Sequence, residues 1–437
     1  MKFYSTNSRQ HLVTFGEAAV QGLAPDSGLY MPEVIPSFPP HFFETLHQKS
    51  FQEIAFDVAR VFTEKDIPSD HLKKIIGSTI TFDAPLVKIE DSTYALELFH
   101  GPTLAFKDFG ARFMSQALGY FAANEKKEVV ILAATSGDTG SAVANGFLGV
   151  PNTKVVVLYP SGKVSEIQEK QFTTLGKNIT ALEVNGTFDD CQRLVKQAFS
   201  DRELNEELFL TSANSINMAR LIPQTFYYFY AWSRLPQKQN VVFSVPSGNF
   251  GNLTAGLIAQ KMGLPIAHFI AATNRNDIVP HFLQTSLFQP KPSVSTISNA
   301  MDVGNPSNFY RMLDLFGNDF NKIKQAISGY SFSDEETQAA MQSVFAKQNY
   351  VLDPHGAVGY LGLKKYQAHH PEATGVFLET AHPAKFKEVV EQILSRKIPI
   401  PEKLKSFLVG SKKSIPLQAD FTSLKKILKN LSSGSPV

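Results

Sequence analysis

The sequence predicts an α/β protein whose sheets are mostly parallel and doubly wound, with helices on both faces. Two features carry this prediction: short apolar runs rich in β-branched residues, and segments of helical periodicity that alternate with them. Such runs are typical of strands buried on both faces, and the alternation is typical of βαβ units. A chain of 437 residues, 43% of them hydrophobic, is long enough to form two or three domains.

Each predicted element rests on its own stretch of sequence. The apolar runs predict strands at residues 129–134, 155–159, 241–245, 267–272 and 376–379. Helical periodicity predicts helices at residues 189–199, 253–262, 337–347, 384–395 and 421–431.

The domain organisation follows from the way these patterns change along the chain. In the first hundred residues the alternation of strand and helix signals is weaker than in the rest of the chain. This region also contains a stretch rich in Pro and Phe at residues 32–43. Residues 235–239 are mostly polar and lie just before a strand, which predicts a crossover between two α/β halves. We therefore expect an N-terminal domain at residues 1–95, a first α/β half at 96–237 and a second half with C-terminal helices at 238–437.

The composition disfavours several classes of protein. Lys and Arg number 42 against 40 Asp and Glu, and no long run of one sign is present, so we expect neither nucleic acid nor a membrane as a partner. The single cysteine, Cys191, excludes an internal disulfide, and the lack of CxxC and HExxH argues against a zinc site. The N-terminus lacks the apolar core of a signal peptide, so we expect a cytoplasmic protein.

Two turns that contain glycine directly follow predicted strands, where open α/β sheets bind their ligands. Residues 134–141 read ATSGDTGS, and residues 247–252 read SGNFGN. Backbone N–H groups at such helix N-termini can hold an anion, and the two glycines of the second turn allow close approach to a phosphate. That turn lacks the P-loop ending and the GxGxxG spacing, so neither ATP nor a dinucleotide is favoured. Each turn alone is equally compatible with an ordinary strand-to-helix connection.

A third candidate is Lys107, which lies between Phe106 and Phe109 in a largely apolar segment. Removal from water would lower the pKa of its amine toward nucleophilic use. Taken alone, the segment is also compatible with a surface lysine whose stem packs on apolar neighbours while its amine reaches water.

Three motifs together, PTLAFKDFG at residues 102–110, TSGDTGSA at 135–142 and SGNFGN at 247–252, resemble those of the fold-type II enzymes that use pyridoxal phosphate. Within this fold type the chain is most similar to the threonine synthase family. The segments that carry this narrower resemblance are LAPDSGLYMP (23–32), NSINMARLIPQ (214–224), VGNPSNFYR (303–311), DPHG (353–356) and ETAHPAKF (379–386). The resemblance extends from about residue 4 to about residue 390.

The resemblance implies a fold-type II architecture, two doubly wound α/β halves plus an N-terminal domain, and pyridoxal 5'-phosphate as the cofactor. It implies a Schiff base between Lys107 and the cofactor, with Thr380 facing the pyridine nitrogen. The cofactor phosphate would lie in a cup formed by Gly248, Asn249, Phe250, Gly251 and Asn252. The substrate carboxylate would lie at Thr135, Ser136 and Thr139, and a substrate phosphate at Ser307, Asn308 and Arg311, because Arg offers a charged fork.

One residue departs from the wider fold type. Asp138 occupies a position where Asn is usual, and an amide can donate to the cofactor's phenolic oxygen whereas an ionised carboxylate cannot. We nevertheless retain Asp138 as a candidate cofactor contact, because Asp occurs in part of the threonine synthase group.

The reaction that the resemblance implies converts O-phospho-L-homoserine and water into L-threonine and phosphate, the last step of threonine biosynthesis. Lys107 would move the protons in this elimination and replacement. Alternatives are another fold-type II enzyme, such as a threonine dehydratase or a cysteine synthase, and a non-catalytic relative that binds a phosphorylated metabolite. A nicotinamide-dependent dehydrogenase is disfavoured because GxGxxG is absent. His369, His370 and His382 lie close in sequence, but we expect no metal there.

Overall fold

The computed structural model describes residues 1–123 and 128–433. The strands are β1 (Phe3–Ser5), β2 (Ser8–Val13), β3 (Tyr30–Pro32), β4 (Leu86–Glu90), β5 (Thr93–Glu97), β6 (Val129–Ala134), β7 (Thr153–Pro160), β8 (Ile179–Asn185), β9 (Phe209–Ser212), β10 (Val241–Pro246), β11 (His268–Thr273), β12 (Ile327–Ser331), β13 (Thr374–Glu379) and β14 (Ile415–Gln418).

The α-helices are α1 (Phe15–Gln21), α2 (Pro40–Thr45), α3 (Phe51–Thr63), α4 (Ser69–Thr79), α5 (Lys107–Ala122), α6 (Asp138–Phe147), α7 (Glu166–Thr173), α8 (Phe188–Ser200), α9 (Arg202–Glu207), α10 (Met218–Leu221), α11 (Pro223–Arg234), α12 (Gly251–Lys261), α13 (Ile278–Thr285), α14 (Phe309–Leu315), α15 (Phe320–Ala326), α16 (Asp334–Gln348), α17 (Pro354–Gln367), α18 (Lys387–Leu394), α19 (Glu402–Leu408) and α20 (Phe421–Ser433). Short 3₁₀ helices lie at Leu46–Gln48, Asn299–Met301 and Pro383–Phe386.

The strands form three sheets. The first is antiparallel, in the order β2-β1-β3. The second has the order β12-β11-β10-β13-β5-β4, in which only the edge strand β4 is antiparallel to its neighbour. The third, β14-β8-β7-β6-β9, is parallel throughout. The predicted α/β class with two mostly parallel sheets is therefore confirmed.

The inner strands are apolar because both faces of each large sheet are covered. Every residue of β6, β10 and β13 is buried. Helices pack on both sides, and α17, for example, contacts β10, β11 and β13. Strands of this kind lack the alternation of a half-exposed sheet, which is why continuous apolar runs identified them.

The predicted elements agree with the structure to within a few residues, with one exception. The helix expected at residues 384–395 is divided into the 3₁₀ helix Pro383–Phe386 and α18, where the backbone tightens after Pro383. The sequence patterns predicted none of the strands β1 to β5, nor β8, β9, β12 and β14, which are short or partly exposed.

Two sheets draw strands from distant parts of the chain. The β4–β5 hairpin pairs through β5 with β13, so residues 86–97 belong to the sheet that contains β10 and β11. Conversely, β14 pairs with β8 and completes the sheet built around β6 and β7. The expected boundary at residue 95 falls inside β5.

Candidate active site

A cavity lies where the strands of the two large sheets end. Ala134 at the end of β6, Pro246 at the end of β10 and Thr380 just after β13 all line it. The carboxyl ends of parallel strands are where this architecture places its ligands. Of the predicted site residues, those that line the cavity are Lys107, Ser136, Asp138, Thr139, Gly248, Asn249, Phe250, Gly251, Asn252 and Thr380.

Lys107 enters this cavity from the first turn of α5. The segment before it is held in place by a hydrogen bond from the Phe106 N–H to the Thr380 carbonyl (2.8 Å). The pKa of Lys107 is lowered to about 8, mainly by burial; Asp138 opposes this shift, and the charges of Lys385 and Arg220 add to it. At pH 7 about a tenth of an amine with this pKa is neutral, far more than for an ordinary lysine, and a nucleophile or proton acceptor requires this neutral form.

The glycine turn after β10 forms one wall of the cavity and leads into α12. Phe250 adopts a left-handed conformation (φ 61°) that turns the chain into the helix. A Cβ atom on Gly248 would lie 2.9 Å from the Ala300 carbonyl oxygen, so only glycine fits there. Within the described residues, the N–H groups of residues 248–250 donate to no protein acceptor. Free N–H groups at a helix N-terminus suit a phosphate.

The turn after β6 has the Thr135 hydroxyl at its centre. This hydroxyl accepts hydrogen bonds from the N–H groups of Gly137 (2.9 Å) and Gly140 (2.7 Å), and Thr135 is fully buried. Thr135 is therefore engaged within the turn and does not line the cavity, in contrast to the expectation from sequence. Ser136 and Thr139 do line it, with partly exposed side chains.

Asp138 begins α6 and has a buried partner that the sequence analysis did not identify. Its Oδ1 lies 2.7 Å from the Lys385 Nζ, and the Gln168 amide donates to the same oxygen (2.7 Å). Burial alone would raise the pKa of Asp138, but the charges of Lys385 and Lys107 hold it well below its ordinary value. Asp138 is thus an ionised carboxylate in the wall of the cavity.

Arg220, from α10, is a second residue that the sequence analysis missed. It lines the cavity and is almost fully buried, and burial lowers its pKa to about 10. Its Nη1 donates to the Ala213 carbonyl, whereas its buried Nε finds no hydrogen-bond partner among the described residues. A buried donor without a partner is costly, which indicates that a ligand completes it. The only hint to Arg220 in the sequence was its position within NSINMARLIPQ (214–224), one of the segments that carry the family resemblance.

The predicted substrate-phosphate residues lie behind the cavity wall. Arg311 is fully buried, and its guanidinium donates to the carbonyls of Tyr30 (3.2 Å), Ser215 (3.3 Å) and Ile216 (2.6 Å) and to the Asn308 side-chain oxygen (2.8 Å). Neither Arg311 nor Asn308 nor Ser307 lines the cavity. In this geometry Arg311 holds two backbone segments, at Tyr30 and at residues 215–216, and direct contact with a ligand would require it to release them.

The cavity fits a cofactor that carries both an aldehyde and a phosphate. Lys107 offers the amine, the turn at residues 248–252 offers unpaired N–H groups, and Thr380 offers a hydroxyl on the same cavity. One wall is held by hydrogen bonds, since the Ala300 N–H donates to His355 Nε2 (3.2 Å), whose Nδ1 bonds Asp353 (2.6 Å).

In the described part of the chain, no group of three or more His, Cys, Asp or Glu side chains is arranged to hold a metal ion. None of its helices combines the length and apolarity that crossing a membrane would require.

Comparisons with known proteins identify the family to which the chain belongs. Residues 76–380 match the family model for pyridoxal-phosphate dependent enzymes, and residues 2–80 and 356–428 match models for the threonine synthase N terminus and C-terminal region. Threonine synthase from Haemophilus influenzae is 47% identical over 98% of this chain and 99% of its own length. The crystal structure of threonine synthase from Escherichia coli superimposes with a TM-score of 0.94 at 45% identity, covering 99% of this chain and 100% of that chain.

A second solved structure, of threonine synthase from Brucella melitensis with pyridoxal phosphate bound, has a TM-score of 0.92 at 35% identity and covers 99% of both chains. Family models, relatives and structures together cover nearly the whole chain. The chain therefore belongs to the threonine synthase family of pyridoxal-phosphate-dependent enzymes.

Proposed function

We propose that this protein converts O-phospho-L-homoserine and water into L-threonine and phosphate. The observation that carries the proposal is a single cavity that combines the Lys107 amine, the phosphate-binding turn at residues 248–252 and the unpaired guanidinium nitrogen of Arg220. Two separate anion sites suit a phosphorylated cofactor together with a phosphorylated substrate.

Six residues would hold the cofactor and serve its chemistry. The N–H groups at Gly248, Asn249, Phe250, Gly251 and Asn252 would bind its phosphate, and Thr380 would face its pyridine nitrogen. When bound, pyridoxal phosphate supplies an electron sink that stabilises negative charge on the substrate. A hydroxyl such as that of Thr380 cannot pair with a full positive charge as a carboxylate can.

Lys107 would carry the cofactor and move protons. Its position at the start of α5, held by the Phe106–Thr380 hydrogen bond, keeps the Nζ atom in the cavity. Because its pKa is about 8, the amine can accept a proton and later return it near neutral pH.

Other residues would orient the substrate. Ser136 and Thr139 present side chains to the cavity at the start of α6 and would bind the substrate carboxylate. We assign the substrate phosphate to Arg220 in place of Arg311, because the Nε atom of Arg220 is unpaired whereas every nitrogen of the Arg311 guanidinium donates to the protein. Asp138, together with Lys385, would form the wall beside Lys107.

The test is incubation of the purified, cofactor-loaded protein with O-phospho-L-homoserine, with threonine and phosphate both measured. We expect equal amounts of the two products. A threonine dehydratase would instead consume L-threonine and release ammonia, and a cysteine synthase would require sulfide. A non-catalytic relative would bind phosphohomoserine without turnover. The Lys107→Ala variant is the control for background hydrolysis.

We also propose a division of the chain into domains and a location in the cell. The division into domains at residues 1–95, 96–237 and 238–437 is supported by the separate β1–β3 sheet, although strands cross these limits. A cytoplasmic location is supported by the one buried, unpaired cysteine, Cys191, which suits a reducing compartment.

A further inference from the structure

Asp138 and Lys385 form a deeply buried ion pair beside the cavity. The side chains are 3% and 0% exposed, and the Nζ–Oδ1 distance is 2.7 Å. Burying two charges costs several kcal/mol per ion before their attraction is counted, so a buried pair is weak evidence for stability. A role in the chemistry of the adjacent cavity accounts for it better.

Lys385 reaches Asp138 from the 3₁₀ helix that follows β13. Its Nζ has a second contact, a hydrogen bond to the Thr103 carbonyl (2.8 Å), in the segment that leads to Lys107. Lys385 itself does not line the cavity, whereas Asp138 does. The contacts of Lys385 with the site therefore run through Asp138 and Thr103.

Without Lys385, the ionised Asp138 would be a strong partner for the Lys107 ammonium. Asp138 raises the pKa of Lys107, and Lys385 lowers it. A lysine held as an ammonium in an ion pair is neither a nucleophile nor a proton acceptor. With Lys385 in place, the carboxylate already has a cationic partner, and the pair together carries no net charge toward Lys107.

We propose that Lys385 is a positioning residue: it engages the carboxylate of Asp138 and so leaves the amine of Lys107 free to react. The proposal concerns the attachment residue of this enzyme family and does not require that phosphohomoserine be the substrate.

Other charged groups near Lys107 also affect its amine, and they stay the same in every variant of the test. Arg220, from α10, lowers the Lys107 pKa. Asp108 follows Lys107 in α5, but its carboxylate accepts from the Thr103 N–H (2.9 Å) and hydroxyl (2.6 Å). His355 and Asp302 line the same cavity from the opposite wall. None of these groups is altered by the substitutions below.

The test is a double-mutant cycle on full-length, cofactor-free protein. The variants are Lys385→Met, Asp138→Asn and the two combined. A pulse of acetic anhydride, which reacts only with neutral amines, is applied across a range of pH, and the extent of Lys107 labelling is read by mass spectrometry. The imine absorbance formed on adding pyridoxal phosphate gives a second readout of the same amine.

We expect the midpoint of Lys107 labelling to lie near pH 8 in the wild-type protein, as its pKa of about 8 requires. Lys385→Met should raise the midpoint by about one pH unit, and Asp138→Asn should lower it, because each removes one of two opposite charges. When Asp138 is already Asn, Lys385→Met should shift the midpoint much less than it does in the wild-type background, so the double variant should label close to Asp138→Asn. This loss of the Lys385 effect is the signature of an effect transmitted through Asp138, whereas simple cancellation of the two shifts is what two independent charges would give.

Two outcomes would overturn the proposal. An unchanged midpoint in Lys385→Met would show that Lys385 does not affect the amine. An upward shift from Lys385→Met of the same size in the wild-type and Asp138→Asn backgrounds would show that Lys385 acts directly on the amine or through the Thr103 carbonyl. Should Lys385→Met fail to fold, the downward shift expected for Asp138→Asn still tests the idea. A wild-type protein that labels as expected but does not turn over phosphohomoserine would contradict the proposed function alone.

Discussion

Replacing Arg220 with Met tests the assignment of the substrate phosphate. Methionine keeps much of the side-chain length and removes the charge. The Nη1 atom bonds the Ala213 carbonyl and Nε has no partner among the described residues, so we expect the edge of the guanidinium that includes Nε to bind the phosphate. Two charge-assisted hydrogen bonds from that edge, each worth about 1.5 kcal/mol or more, total about 3 kcal/mol, which corresponds to a loss of about 100-fold in kcat/KM.

The assay is steady-state release of phosphate from O-phospho-L-homoserine, alongside slow deamination of L-serine by the same variant. L-Serine has no phosphate, so its rate should change much less. Arg112→Met is the matched control, because Arg112 donates to the carbonyls of Ser78 and Thr79 and does not line the cavity. Equal losses for both substrates, or loss of cofactor binding in Arg220→Met, would refute the reasoning and assign Arg220 to the cofactor.

Three further predictions concern the cofactor, the turn and the buried arginine. Borohydride treatment followed by peptide mapping should place the cofactor on Lys107, and Lys107→Ala should stay colourless; an adduct elsewhere would contradict the site. Gly248→Ala should weaken cofactor binding about tenfold by equilibrium titration, because its Cβ would press on Ala300, whereas the Cβ of Gly251→Ala meets nothing closer than 3.5 Å and should change affinity little. Arg311→Met should lower the free energy of unfolding by about 3 kcal/mol in denaturant titrations, because it leaves buried carbonyls unpaired, and should spare the cofactor dissociation constant; unchanged stability would contradict it.

Local sequence was sufficient to predict much of the fold and part of the site. A strand buried on both faces is apolar along most of its length, so β6, β10 and β13 were identifiable without tertiary information. The glycine turns could be placed for the same reason, since each follows such a strand and precedes a helix. Lys107 was identified by its apolar neighbours and by the motif around it.

The two arginines show where sequence reasoning stopped. Arg220 and Arg311 both lie in segments that carry the family resemblance, and either guanidinium could bind a phosphate. Only the packing shows that Arg311 joins β3 to the segment before α10, while Arg220 faces the cavity. The Asp138–Lys385 pair was equally inaccessible, because its members are distant in sequence and no local pattern relates them.

The late strand β14 has a consequence for how the protein is made. The ribosome releases β6, β7 and β8 long before Ile415–Gln418 emerges, so the edge of β8 stays open for most of translation. An open, parallel edge can capture strands from other nascent chains. Slowing the ribosome between residues 185 and 415 should therefore increase the fraction recovered in inclusion bodies, whereas slowing it before residue 129 should not.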